Sequence, residues 1–258
     1  MAIEFTVEDH VATLRLNRPD SMNAIDPDTR AELHMLWRRV ADDADIRVAI
    51  LTGAGDRAFC TGVDLKNPMP VNQSFAAAMF GPAAGYSLVA GLDTDKPLVC
   101  AINGIAYGGG LELALACDIR ITADHAKFAF PEVRIGSIPG AGGTQRLPRT
   151  LAQSDAMLML LTGDSVNAAE ALRMGLVSKV VPLAALMDEA HIVARRIAGN
   201  APLSVRAIKR LVQSGRDMPL PSAIEAERLA WGVLRDSDDR TEGRKAFQEK
   251  RPPRFTGR

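Results

Sequence analysis

Two short, almost unbroken apolar runs, Val48-Ala49-Ile50-Leu51-Thr52 and Pro97–Ile102, constrain the fold more than any other feature of the chain. A strand with one wet face alternates apolar and polar side chains, whereas a strand covered on both faces reads as a continuous run. Around these runs the first half of the chain alternates strand and helix signals. Ile3–Val7 and the alternating Val11, Thr13, Leu14 and Leu16 read as strands, and Asn17-Arg18-Pro19-Asp20 as a turn. Asp26-Pro27 reads as an N-cap with proline in the first helical position, followed by Leu33, Leu36, Trp37 and Val40 at helical spacing. Asp118–Thr122 and Lys127–Phe130 read as further strands. The segment from Phe59 to Pro70 has two prolines and no helical period, so it reads as loop, and an Ala/Met/Phe-rich stretch over 72–92 is loosely helical. Past residue 150 the pattern is mostly helical, over 153–161, 167–174, 183–199, 202–214, 221–235 and 237–250, with one strand-like run at Gly175–Val181. This order predicts an α/β core over 1–199 and an α-helical region over 200–258.

Charge narrows the range of functions. The 258 residues carry 31 basic and 31 acidic side chains, a balance that argues against a nucleic-acid or membrane-surface role carried by bulk charge. The tail from Ser237 holds seven basic and four acidic residues, read as a solvated helix and tail. Cys60, Cys100 and Cys117 form no C-x-x-C spacing, which argues against a disulfide framework and a zinc site. The N-terminus lacks the basic-then-apolar pattern of a secretory signal, and no apolar run approaches the roughly 18 residues of a membrane span. The expected compartment is the cytoplasm, with no membrane and no nucleic-acid partner.

Gly53-Ala-Gly55-Asp-Arg-Ala58 follows a strand and matches a G-x-G-x-x-A dinucleotide pattern. That pattern needs a helix to open at once, so that its N-terminus meets the pyrophosphate, and the residues that follow have no helical period. A P-loop, a G-x-S-x-G elbow and an H-E-x-x-H helix are absent, and His10, His34, His125 and His191 are scattered without ligand spacing.

The informative stretch runs from Asn103 to Asp118. Gly108-Gly109-Gly110 opens a helix predicted to run through Cys117. Glycines at a helix start let the backbone approach a ligand and aim unpaired N–H groups at it, although a tight turn alone would ask for the same residues. Glu112 sits in the first turn among Leu111, Leu113, Ala114, Leu115 and Ala116. A helix apolar all round is buried, and a carboxylate within it is paired, protonated or functional. Twenty residues on, Glu132 follows the strand-like Phe128-Ala129-Phe130. Two carboxylates near one water can divide into a base and a proton donor, but the residues alone leave Glu132 equally open as an unrelated surface acid.

At this point the residues resemble a known family. Asn17-Arg-Pro with Asn23-Ala24, Ala58-Phe-Cys-Thr-Gly62-Val63-Asp64-Leu65-Lys66, Lys96-Pro97 with Ala101-Ile-Asn103-Gly104, Gly108–Glu112 with Cys117-Asp118, Phe130-Pro131-Glu132 and Ile138–Pro148 all match. So do Leu161-Thr-Gly163, Ala171 with Gly175-Leu-Val177, and Lys245-Ala-Phe247 with Glu249-Lys250-Arg251. In this order and spacing they resemble the enoyl-CoA hydratase/isomerase, or crotonase, family over nearly the whole chain. The resemblance implies an α/β fold, a spiral of ββα units with a helical C-terminal trimerisation region, packed as a homo-oligomer of trimers or dimers of trimers. It implies an acyl-CoA substrate and no separate cofactor or metal, coenzyme A being part of the substrate. The thioester carbonyl would be held by the N–H groups of Val63 and Gly109. Ala24, Val63, Asp64, Leu65 and Lys66 would line the CoA channel, with the Ala24 backbone near the adenine and Lys66 near the nucleotide end. Glu112 would activate the attacking water, Glu132 would give or take the proton at C2, and Gly140 would leave space for the water. The implied activity is reversible hydration of a 2-enoyl-CoA. Dehydration of a specialised hydroxyacyl-CoA such as carnitinyl-CoA and double-bond isomerisation remain as alternatives, and more remotely RNA binding, which calls for a lysine-rich face where the first helix offers only Arg38-Arg39 among several acids. Asp20 stands where the family often has a basic residue. Phe130 stands where it often has a polar one, which predicts a more apolar pocket beside Glu132. Met69, Phe75, Met79, Phe80 and Tyr86 are expected to bound either an acyl pocket or the core.

Overall fold

The computed structural model describes residues 1–67 and 88–258. The expected helix over 72–92, and with it Met69, Phe75, Met79, Phe80 and Tyr86, falls outside the described residues, apart from a turn at Leu88–Gly91. Strands β1 (Ile3–Glu8) and β2 (Val11–Leu16) form an antiparallel hairpin, and β3 (Val48–Gly53), β5 (Leu98–Ile102), β7 (Ile119–Ala123) and β10 (Lys179–Val181) add to it in parallel. A second sheet takes β4 (Ala58–Cys60), β6 (Ile105–Tyr107) and β8 (Lys127–Ala129) in parallel, closed by antiparallel β9 (Val166–Asn167). From β3 to β8 the chain therefore spirals, placing successive strands alternately in the larger sheet and the smaller.

The continuous apolar runs have the cause their pattern predicts. Ala49, Leu51, Leu98, Cys100 and Ile102 face a core shared with α1 (Pro27–Asp42) and α2 (Gly109–Ala116). Val48, Ile50, Val99 and Ala101 face a second core under α6 (Leu186–Ala198), which contributes Leu186, Ala190, Ala194 and Ala198. Helix α1 begins where expected, with Pro27 first and the Asp26 carboxylate accepting from Thr29 N at 2.8 Å.

Several expectations shift in detail. The loop expected from Phe59 is strand as far as Cys60, and β6 was not anticipated. Both strands have three residues, too few for a period to register, yet Phe59, Cys60 and Ala106 are fully buried. Helix α2 ends at Ala116, with Cys117 as its C-cap. Helix α3 (Gly143–Thr150) carries no clear signal because Pro148 lies inside it and glycines precede it. The remaining helices are α4 (Gln153–Thr162), α5 (Ala168–Met174), α7 (Pro202–Gly215), α8 (Leu220–Leu234) and α9 (Asp238–Gln248). Gly199–Ala201 links α6, packed on the sheet, to α7. Lys209 of α7 reaches back, at 2.8 Å each, to the Asp118 carboxylate and the Lys96 carbonyl.

The Gly53–Ala58 segment that mimics a dinucleotide loop is a turn bound by two buried asparagines. Asn103 accepts from Gly53 N (3.1 Å) and donates to the carbonyls of Gly55 (2.8 Å) and Ala58 (3.1 Å). Asn23 donates to those of Ala54 (3.0 Å) and Ala58 (2.8 Å). Asn103→Ala would strand several buried backbone groups, and each orphaned group costs about 1–3 kcal/mol. The expected loss is about 3 kcal/mol in urea unfolding. A loss below about 1 kcal/mol would show that water replaces the amide.

Candidate active site

The glycines at the start of α2 are needed both for the turn and for close approach. Gly108 has φ +51°, a region that disfavours side chains, and an added Cβ there would meet Glu132 Oε1 at 2.9 Å. A Cβ on Gly110 would overlap the Cys60 carbonyl, and one on Gly62 would lie 2.7 Å from Gly109 N. The helix start is thus pressed against the segment leaving β4. That segment pairs through Ile25 with the chain before α1: Ile25 N donates to Gly62 O (2.8 Å) and Asp64 N to Ile25 O (3.0 Å). The pairing skips the Val63 N–H. Val63 N and Gly109 N take no hydrogen-bond partner among the described residues, and a Cβ on Gly109 would lie 3.6 Å from Val63 N.

Glu112 follows in the first turn of α2 and is 3% exposed. Its Oε1 accepts from Ala141 N (2.6 Å) and Gly143 N (2.8 Å), both at the entry to α3. Burial pushes its carboxyl above the usual range, while the two amides and the charge of Arg146 pull the other way. Glu132 lies in a 3-10 turn, Pro131–Ile135, directly after β8 and is half-buried. Burial also pushes its carboxyl up, opposed by its own N–H and reinforced by the negative charge of Glu112. Its Oε2 is buried without a hydrogen-bond partner among the described residues. Topology accounts for the nearness of the two acids. Strands β6 and β8 pair in parallel (Ala106 with Phe128, Tyr107 with Ala129), so the segments leaving their C-terminal ends emerge together. Glu112 is five residues past β6 and Glu132 three past β8.

Both glutamates line one cavity of about 530 Å³ with Val63, Leu65, Gly109 and Gly140. An added Cβ at Gly140 would meet nothing within 4 Å. Ala24, Asp64 and Lys66 do not line this cavity. Ala24 is buried, and its carbonyl accepts from the Arg18 guanidinium. The Asp64 carboxylate pairs with Arg18 at 3.1 Å and accepts from Lys66 N at 3.0 Å. That Lys66 N–H bond above all, with Arg18, holds its carboxyl below the usual range. Lys66 is exposed, and so is Asp20 on the turn beside Arg18. Phe130 corrects an expectation. Its fully buried ring packs beneath α3, where a Cβ on Gly143 would lie 2.8 Å from Cζ, so it supports the turn that holds Glu112 and is not in the cavity wall. Two arginines in the wall, Arg30 and Arg134, were not anticipated. Arg30 carried a signal, since it falls on the apolar stripe Leu33-Trp37-Val40 of α1 and is 9% exposed. Among the described residues no helix is long and apolar enough to cross a membrane.

The description Enoyl-CoA hydratase/isomerase belongs to a family model that matches residues 6–258. The (E)-benzylidenesuccinyl-CoA hydratase of Thauera aromatica is 50% identical over 257 residues, covering 100% of both chains. The carnitinyl-CoA dehydratase of Escherichia coli K12 is 39% identical over 263 residues, covering 100% of this chain and 99% of its own. Among solved structures, an enoyl-CoA hydratase from Bacillus anthracis superposes with a TM-score of 0.91 at 36% identity, covering 100% of both chains.

Because the Glu132 carboxyl is raised, the folded chain binds more protons than the unfolded one between the ordinary glutamate value and the raised one. Its contribution to stability is therefore full at low pH and is lost as pH rises through that window. Glu132→Gln removes the ionisation and should raise the melting temperature at pH 8 by roughly 2–4 °C, with the gain closing below about pH 4. Melting curves across pH test this, and a variant no more stable than the parent at pH 8 contradicts it.

Proposed function

The chain belongs to the enoyl-CoA hydratase/isomerase family, and from that membership we propose that it interconverts a 2-enoyl-CoA and its 3-hydroxyacyl-CoA by adding or removing water. It is a hydro-lyase with the crotonase fold of the solved hydratases. The observation that carries the specific mechanism is the asymmetry of the two acids. Glu112 is held by two amide donors that favour its carboxylate form. Glu132 has an oxygen without a partner and feels the charge of Glu112, both of which favour its protonated form.

In the proposed reaction the thioester oxygen rests against the N–H groups of Val63 and Gly109. Glu112 takes a proton from a water as its oxygen bonds to C3, and the electron pair of the double bond moves onto the thioester as an enolate. Glu132 then delivers its proton to C2. The open space at Gly140 gives room for the water, and the reverse sequence dehydrates the hydroxyacyl group. An oxyanion donor is typically worth about 10²–10³ in rate, and a positioned acid or base about 10²–10⁴. Coenzyme A would run along Ala24, Asp64, Leu65 and Lys66, with the exposed Lys66 ammonium at the phosphates. The Ala24 carbonyl, already accepting from Arg18, has a second lone pair for the adenine amino group. No separate cofactor is proposed. A homo-oligomer, a trimer or dimer of trimers, is supported by exposed apolar side chains on α7 and α8, among them Ile208, Val212, Ile224, Leu229 and Trp231.

The acyl group is proposed to be apolar with a polar substituent. Ile25, Val63, Leu65, Leu88 and Ile138 line the cavity alongside Arg30 and Arg134. The Thauera aromatica relative is named for a benzylidenesuccinyl thioester, and several relatives at 39–41% identity are named carnitinyl-CoA dehydratases. Dehydration of a specialised hydroxyacyl-CoA is thus the second reading, the same chemistry in reverse. The test is loss of enoyl-thioester absorbance with crotonyl-, hexenoyl-, cinnamoyl- and benzylidenesuccinyl-CoA. Turnover is expected on at least one, with kcat lowered about 10²–10⁴-fold in Glu112→Gln and in Glu132→Gln. No turnover on the panel in either direction defeats the proposal. Turnover surviving one of the two changes points to isomerisation with a single acid.

A further inference from the structure

Arg146 stands on α3, outside the cavity wall, yet several observations tie it to Glu112. Its Nη1 donates to the Ala141 carbonyl at 2.8 Å, and the Ala141 N–H is one of the two donors on Glu112 Oε1. Its guanidinium lies across Gly142, which has φ +103°, and a Cβ there would overlap Nη1. Its own N–H closes the turn onto Gly142 O at 2.8 Å. Among the described residues no carboxylate lies within ion-pair distance of it.

We propose that Arg146 is a positioning residue for Glu112. By clamping the Ala141 carbonyl it aims the Ala141 and Gly143 amides at the same carboxylate oxygen, so that Oε2 is the oxygen left to meet the reacting water. Glycine at 142 is what lets the guanidinium cross the turn at this range. The fold does not require the clamp, because α3 has its own backbone bonds and Phe130 packs beneath Gly143. The other charged groups around Glu112 are Glu132 in the turn after β8 and Arg30 and Arg134 in the cavity wall. Arg146 is half-buried, so its charge is partly screened by water. Its positive charge also favours the carboxylate over the neutral acid.

The proposal rests on the hydration reading for its effect on rate, but not for its first measurement. Carboxyl carbon-13 NMR titration of glutamate-labelled protein, with Glu112 assigned by its loss in Glu112→Gln, follows the acid whether or not a substrate is known. In Arg146→Gln the Glu112 titration should move upward, and the acid limb of kcat/KM should move with it. At neutral pH kcat should fall about 10–100-fold. Arg146→Lys keeps the charge without the clamp, so its titration should move up less than that of Arg146→Gln while kcat still falls. An unmoved Glu112 titration in folded Arg146→Gln overturns the proposal. Should that variant not fold, Arg146→Lys with parental kcat overturns it. If the parent hydrates no thioester while its titration responds to Arg146→Gln, the hydration reading fails and the positioning role stands.

Discussion

Two stretches of backbone meet in this molecule with no room for a side chain between them. The first turn of α2 lies so close to the segment leaving β4 that a Cβ on Gly110 would overlap Cys60 O, and one on Gly62 would press on Gly109 N. This contact leaves two N–H groups, at 63 and 109, without a hydrogen-bond partner among the described residues. Main-chain donors gain precision when the elements carrying them are immobile. The immobility comes from sheet order. Each element emerges from a strand of the smaller sheet, and those strands are locked against a larger sheet buried on both faces.

The same order sets the energetics of the acids. Parallel neighbours β6 and β8 bring the segments after their ends together, and each carries a glutamate into a partly dry cavity. Placing two carboxyls there is unfavourable for folding, because burial raises both and the charge of Glu112 raises Glu132 further. The double-layered core offsets that cost. The two acids are held unequally: the Ala141 and Gly143 amides sit on Glu112, whereas Glu132 has only its own N–H and keeps Oε2 without a partner among the described residues.

The broad plan was legible because burial on two faces and helical spacing both leave marks over five or more residues. Val48–Thr52, Pro97–Ile102, the Asp26-Pro27 helix start and most helices past 150 were read from such marks. The three-residue strands β4 and β6, which lead into the candidate site, were not: Lys127–Phe130 shows alternation through Phe128 and Phe130, whereas Ala58–Cys60 and Ile105–Tyr107 are too short for a period and stand between glycines. Glu112 was visible as a carboxylate in an apolar helix. Glu132 was visible only as a candidate, because its pairing with Glu112 depends on which strands are neighbours. The Gly53–Ala58 resemblance to a nucleotide loop arose because a tight turn under two asparagines needs glycine for its own reasons. A Cβ on Gly53 would sit 2.6 Å from the Phe59 carbonyl. Phe130 misled in another way: it stands two residues before Glu132, but the chain leaves β8 at Ala129 and enters the 3-10 turn between them, and this ring points under α3.

Backbone groups leave no mark in a sequence, and the holder of Glu112 is a pair of backbone amides. Its trace is the spacing of glycines in Gly140-Ala141-Gly142-Gly143, and each glycine there answers to something different. Gly142 has a positive φ and an arginine across it, and Gly143 lies against Phe130 and Pro139. Gly140 has neither constraint, since no positive φ is recorded for it and an added Cβ would touch nothing. Folding therefore does not demand glycine at 140. What distinguishes the position is that it borders the cavity lined by both glutamates, where a side chain would take up space that Gly140 leaves open.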